Sequence, residues 1–171
     1  MEENITQVET KEKVMQKIKR IAFEIAEDNY DEPEIILAGI CRNTEGYAFA
    51  VKLFDVLKQI SPSKILLAHI ELNKSHPGDS PVEMNLTEHD VDNKVIILVD
   101  DVSNTGKTLS YAIKPFLSFS PKKIRCAVLV ERKHKLFPVS PDYVGLSLST
   151  TFHEHIKVVL SKEGEEGIYL L

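Results

Sequence analysis

An α/β domain, a mostly parallel sheet flanked by helices, is the architecture this sequence predicts, and three observations predict it. Short apolar runs that suit buried strands recur along the chain, among them "EIILAGI" (34–40), "KILLAHIEL" (64–72), "VIILVD" (95–100) and "KKIRCAVLVE" (122–131). Stretches with helical spacing lie between them, and strands alternating with helices imply parallel βαβ units. The third observation is size: 171 residues, 43% hydrophobic and 27% charged, suit one soluble globular domain with a real core and exclude a disordered chain. One domain over residues 1–171 is the expectation.

The elements follow in order. Val14, Ile18, Ile21, Ala22 and Ile25 in "TKEKVMQKIKRIAFEIAEDN" mark one face of an amphipathic helix. After the strand at 34–40, Ala48, Val51, Leu53, Phe54 and Leu57 restore helical spacing over 44–59. Beyond the strand at 64–72, "NKSHPGDSPVEMNLTEHDVDN" (73–93) is polar and too long for an ordinary connection, so it is expected to be an active-site loop or flap. "TGKTLSYAIKPFL" begins as a turn and becomes a helix closed near Pro115. "KKIRCAVLVE", "YVGLSLS" (143–149), "IKVVL" (156–160) and "GIYLL" (167–171) complete the strands.

Composition narrows the function. The first thirty residues are dense in Glu and Lys, with no apolar signal region, and no stretch is long enough to span a bilayer, so a cytoplasmic protein without membrane partners is expected. The two cysteines, Cys41 and Cys126, do not make a disulfide framework, and Cys126 lies inside an apolar run. A net charge of −5 argues against broad nucleic-acid affinity.

The chemistry gathers at "VIILVDDVSNTGKT" (95–108). Ligands of open parallel sheets bind beyond the carboxyl ends of strands, where this run places Asp100 and Asp101. The turn that follows, Ser103, Asn104, Thr105, Gly106, Lys107 and Thr108, offers successive backbone N–H groups, hydroxyls and a cation, which suits a phosphate ester. Carboxylates repel phosphate but suit sugar hydroxyls, directly or through a hard divalent cation. Side by side the two features describe a 5-phosphoribosyl group. A Walker A loop would need a glycine where Asp101 stands. The plain structural alternative is a capped helix after a strand, with exposed aspartates.

The same stretch resembles the phosphoribosyl pyrophosphate signature of type I phosphoribosyltransferases. The resemblance runs over roughly residues 10 to 160 and is nearest to the branch of bifunctional pyrimidine-operon attenuators with uracil phosphoribosyltransferase activity. It is carried further by "KVMQKIKRIAFEIAE", "GYAFAVKLFDVL" and "AVLVERKHKLFPVSPDYVGLSLST". It implies a phosphoribosyltransferase-type fold with a small hood, formed by the N-terminal segment and about 131–160. It also implies transfer of 5-phosphoribosyl from phosphoribosyl pyrophosphate to a nucleobase, uracil first, giving UMP. By the same resemblance Asp100 and Asp101 are catalytic and hold Mg²⁺, while residues 103–108 bind the 5′-phosphate. Cys41, Arg42, Asn43, Thr44, Glu45 and Gly46 form the pyrophosphate loop, Glu131 and Arg132 frame the base, and the protein assembles as a homodimer or larger. Asn104 stands where the 6-oxopurine branch commonly has an aspartate. An amide cannot serve as a general base, so the purine alternative loses weight.

Two departures from the branch stand out. Glu45 replaces a basic residue before the glycine of the pyrophosphate loop, a repulsive placement unless a metal intervenes or the side chain turns away. The flap lacks a Tyr-Arg-Asp element, leaving Lys74 and His76 as its cations, a loss expected to cost turnover more than binding. Hence two further functions stand beside the enzyme: a UMP-responsive RNA-binding regulator, not favoured by so acidic a chain, and a catalytically weak nucleotide-binding homologue. The basic run "ERKHK" (131–135) is expected to be solvated, and His153 with His155, on one strand face, to be a solvated or hydrogen-bonded pair and not a metal site.

Overall fold

The structure is a computed structural model and describes residues 5–171, so the first four residues of the expected domain lie outside the described residues. The chain opens with β1 (Thr6–Thr10) and α1 (Lys11–Asp28), followed by β2 (Glu34–Ile40), α2 (Glu45–Ile60) and β3 (Lys64–Glu71). Next come the two-residue β4 (Glu83–Met84), the single turn α3 (Glu88–Val91), β5 (Val95–Ser103) and α4 (Lys107–Ile113), which tightens into a 3₁₀ turn over Lys114–Ser118. β6 (Lys123–Arg132), β7 (Tyr143–Leu148), β8 (Ile156–Val159) and β9 (Gly167–Leu170) complete it.

These strands form two sheets. The larger has the order β4-β3-β2-β5-β6-β7 and is parallel except for β4. The smaller, β1-β9-β8, is antiparallel. The expected α/β architecture with a mostly parallel sheet is therefore present.

Period-two alternation explains the apolar strands. In β5, Val95, Ile97 and Val99 face the buried sides of α1 and α2, while Ile96 and Leu98 face Leu109, Ala112 and Phe116. Both faces are covered, so the run reads as continuously apolar. Each fully buried Ile or Leu there contributes about 1.5–3 kcal/mol relative to exposure. α1 buries the stripe Val14, Ile18, Ile21, Ala22 and Ile25 expected from its spacing. The Thr10 hydroxyl caps its start, and the Asn29 amide donates to the Ile25 carbonyl at its end (2.7 Å).

Three expectations change. The strand predicted to stop at Asp100 continues to Ser103, because β6 keeps pairing (Val102↔Val130, Ser103↔Glu131) after β2 has stopped at Gly39↔Val99. The long flap is a loop only to residue 82. Beyond it β4 pairs with the end of β3, and Thr87 with Asp90 forms a capping box on α3. The segment assigned to the hood, 131–160, is divided: β7 is the edge of the large sheet, and the small sheet draws on β1, β8 and β9. β1 carries no strand signal of its own because "TQVET" is polar; pairing with β9 and the Glu9–Lys17 ion pair (3.0 Å) hold it. Among the described residues no helix is long and apolar enough to cross a membrane.

Candidate active site

The candidate residues converge at the carboxyl ends of β2, β3, β5 and β6. Asp100 is buried (2% exposed) and Asp101 half-buried. Gly46, at the start of α2, makes this burial possible: a Cβ there would stand 2.5 Å from Asp100 Oδ1 and 3.1 Å from the Ile40 carbonyl. Only a hydrogen lets the helix start lie on the carboxylate. Asp100 Oδ1 also accepts from the Asp101 N–H (3.0 Å) and from the Lys74 ammonium (2.7 Å), which reaches Asp101 Oδ1 at 3.5 Å.

This contact sets the electrostatics. Burial, and then the Asp101 charge, raise the Asp100 carboxyl above the usual carboxylate range, while the Lys74 ammonium at 2.7 Å favours its ionised form. Burial draws Lys74 down, but the charges of Asp100 and then Asp101 outweigh it, so its ammonium is held above the usual lysine range. Lys74 is thus a cation of the acidic pair, and the flap reaches the site through it.

The turn after β5 encloses a small cavity of about 70 Å³ lined by Asp100, Val102 and the whole stretch Ser103–Leu109. Ser103 is buried, Asn104 exposed, and Thr105, Lys107 and Thr108 half-buried. The Thr105 hydroxyl accepts from Lys107 N–H (3.2 Å). Gly106 has φ +81°, and its missing Cβ leaves room for the carbonyls of Val139 (2.9 Å) and Phe137 (3.2 Å). The run read as solvated charge closes over this turn. Lys135 donates to the Ser103 hydroxyl (2.7 Å), and the Thr105 carbonyl accepts from both Leu136 N–H (2.9 Å) and Phe137 N–H (3.0 Å).

The pyrophosphate-loop candidates are only partly brought together. Cys41 is buried with φ 59°, donates its thiol to the Leu72 carbonyl (3.3 Å), and is held protonated by burial. Thr44 donates its hydroxyl to the carbonyls of Ile40 and Cys41, closing the loop, and Arg42 and Asn43 are exposed at its tip. Glu45 turns away: its carboxylate accepts from Leu160 N–H (2.8 Å), Ser161 N–H (3.0 Å) and the Ser161 hydroxyl (2.6 Å).

A larger cavity, about 660 Å³, adjoins the turn and is lined by Asn104 and Thr105 on one side and by residues 132–136, Phe152 and His155 on the other. Arg132 faces it but spends its guanidinium on the Thr150 hydroxyl and the Thr151 carbonyl, anchoring the far wall. Glu131 does not line it and instead meets Lys135 (3.6 Å) and Ser147 (3.5 Å). His134 stands edge-on to Phe152, their rings 5.3 Å apart. Lys135, Leu136 and Phe152 were missed from sequence. For Phe152 the available signal was an apolar residue alone in the polar stretch 149–155, and the structure leaves it 85% exposed. His153 and His155 precede β8 and so share no strand face, and among the described residues no three metal-ligating side chains cluster.

A family model described as the phosphoribosyl transferase domain matches residues 4–162. The chain belongs to this family. The Bifunctional protein PyrR of Streptococcus mutans is 37% identical over 158 residues, covering 90% of this chain and 88% of that protein. The Bifunctional protein PyrR of Clostridium acetobutylicum is 36% identical over 163 residues, covering 91% and 90%. Among solved structures, the hypoxanthine phosphoribosyltransferase of Trypanosoma cruzi has a TM-score of 0.75 at 20% identity, covering 97% of this chain and 95% of that one. A hypoxanthine-guanine phosphoribosyltransferase of Bacillus anthracis has a TM-score of 0.72 at 18% identity, covering 96% and 95%. These two speak for the phosphoribosyltransferase fold.

Phosphoribosyltransferases generally work with Mg²⁺ and phosphoribosyl pyrophosphate, which raises the question of whether Asp100 and Asp101 fit a metal. They do not fit one held between them. The position bridging their Oδ1 atoms is taken by the Lys74 ammonium, Asp100 Oδ1 already accepts two hydrogen bonds, and no third ligand stands near among the described residues. The ammonium therefore stands where Mg²⁺ was expected on this pair.

Proposed function

We propose that this phosphoribosyltransferase-family chain transfers 5-phosphoribosyl from phosphoribosyl pyrophosphate to a nucleobase, uracil first. The observation that carries the proposal is adjacency. Asp100 lines the small cavity together with the 103–108 turn, and that turn shares Asn104 and Thr105 with the larger cavity. Phosphate, sugar and base then have contiguous places around one turn.

Each group has a task on this reading. The 103–108 backbone, with Ser103, Thr105 and Lys135, holds the 5′-phosphate, and remote binding energy positions C1′ for reaction. Asp101 and Asp100 accept from the ribose hydroxyls and stabilise positive charge developing at C1′ as the pyrophosphate bond breaks. The leaving group departs toward the 41–46 loop and the start of α2, a favourable place for an anion once Glu45 has turned away. Uracil enters between Asn104 and the Leu136–Phe152 wall. Asn104 favours a pyrimidine, since its amide takes no proton from a purine, and the relatives named Bifunctional protein PyrR support the same choice. Pyrophosphate release from phosphoribosyl pyrophosphate, followed with uracil and with hypoxanthine, tests this. Uracil-dependent release is expected. Release with hypoxanthine alone overturns the base assignment, and no release together with no UMP binding overturns the function.

A further inference from the structure

Resting on that reading, we propose that Lys74 is a built-in counter-ion of the ribose site, standing where a divalent cation would bridge Asp100 and Asp101, so that the nucleotide is bound without a protein-held metal. The first support is the contact itself. One ammonium reaches the Oδ1 atoms of both carboxylates, at 2.7 and 3.5 Å. A divalent cation bridging the same two oxygens would lie against that positive charge, so ammonium and metal exclude each other.

The second support is that Lys74 is placed and not merely within reach. Just before it, the Leu72 carbonyl accepts from the Cys41 thiol (3.3 Å), and Glu71 Oε1 accepts from Arg42 N–H (2.9 Å), fastening the strand end to the neighbouring loop. Immediately before it, Asn73 Oδ1 accepts from both Ser75 N–H and His76 N–H (each 3.1 Å), wrapping the backbone around Lys74. The side chain, one-third exposed, covers a carboxylate that is itself almost fully buried. An ammonium has three donors, and two meet the aspartates. The third remains for a ligand hydroxyl, which a bare Mg²⁺ ion would have engaged through its own coordination. The flap residue that departs from the branch pattern thereby supplies charge the site needs.

Two titrations test this on the full chain. In the first, Mn²⁺ alone is titrated against the free protein, followed by loss of its electron paramagnetic resonance signal. The parent is expected to bind none at the pair, Lys74→Met to bind one ion per chain, and Lys74→Met with Asp101→Asn to lose it. Lys74→Gln serves in the same role if Lys74→Met fails to fold. In the second, UMP binding is measured by calorimetry with EDTA and with Mg²⁺. The parent should bind equally in both. Lys74→Met should bind about tenfold more weakly in EDTA and recover with Mg²⁺, and Lys74→Arg should resemble the parent. A parent that binds Mn²⁺ at the pair, or Lys74 variants that acquire no ion, overturns the inference. Failure of UMP to bind any form overturns the phosphoribosyl reading instead, and the Mn²⁺ titration still decides on Lys74.

Discussion

Glu45 and Ser161, separated by more than one hundred residues, are joined by two hydrogen bonds of 2.6 and 3.0 Å, and the same carboxylate also accepts from the Leu160 N–H. The acid that would repel pyrophosphate is thereby spent on docking the end of β8 to the start of α2. Glu45→Ala should leave these N–H groups without their partner and cost about 1–3 kcal/mol, read from denaturant unfolding. A variant as stable as the parent would show that water satisfies the segment equally well.

Gly106 is required twice, by its positive φ and by the carbonyls of Val139 and Phe137 against its Cα. Gly106→Val should lower the melting temperature and abolish UMP binding, because the turn must open to admit the side chain. A folded variant with parental affinity places the phosphate elsewhere.

Asp101→Asn removes one of two adjacent like charges with little change in volume. Lys74 keeps Asp100 as a partner, so the fold should persist, with a melting temperature at or slightly above the parent's. Affinity for phosphoribosyl pyrophosphate should fall by about tenfold or more, since the amide replaces a charge opposite the ribose. Calorimetry beside thermal melts separates the effects; a collapsed melting temperature with unchanged affinity would make the pair structural.

The Lys11–Glu166 ion pair (2.7 Å) ties α1 to the start of β9. The hydrogen bond from Lys11, then its own backbone contact, holds the Glu166 carboxyl down at about 2, below the usual 4.5. A depressed carboxyl contributes stability above its unfolded value and loses it as pH falls from about 4.5 to about 2. Glu166→Gln should therefore be less stable than the parent at pH 7 and converge with it near pH 2 in thermal melts. A constant difference across that range would refute the assignment.

Tight RNA binding is not expected of a chain with net charge −5. A pyrimidine-operon leader hairpin titrated at about 0.15 M salt should bind weakly and with a steep salt slope. Nanomolar, UMP-enhanced binding would instead restore the regulator.

What the sequence made legible follows how local each cause is. β5 was visible because both faces of its apolar run are covered, and the helix stripe of α1 because its periodicity is internal to it. The acidic pair and the turn were visible because they are contiguous. β1 escaped because its strand character comes from β9, at the other end of the chain. The partner of Glu45 escaped for the same reason, and so did the wall around Phe152, which depends on the reach of Arg132 to residues 150 and 151. The Lys74 contact needed the β3–β2–β5 order, which brings residues 74 and 100 together through a neighbouring strand.

The shared carbonyl of Thr105 has a mechanical consequence. It fastens the phosphate turn to Leu136, in the wall of the larger cavity, and to Phe137 beside it, next to the Lys135–Ser103 contact. The two compartments therefore share a border held at neighbouring points, and a displacement of the turn is carried into the wall.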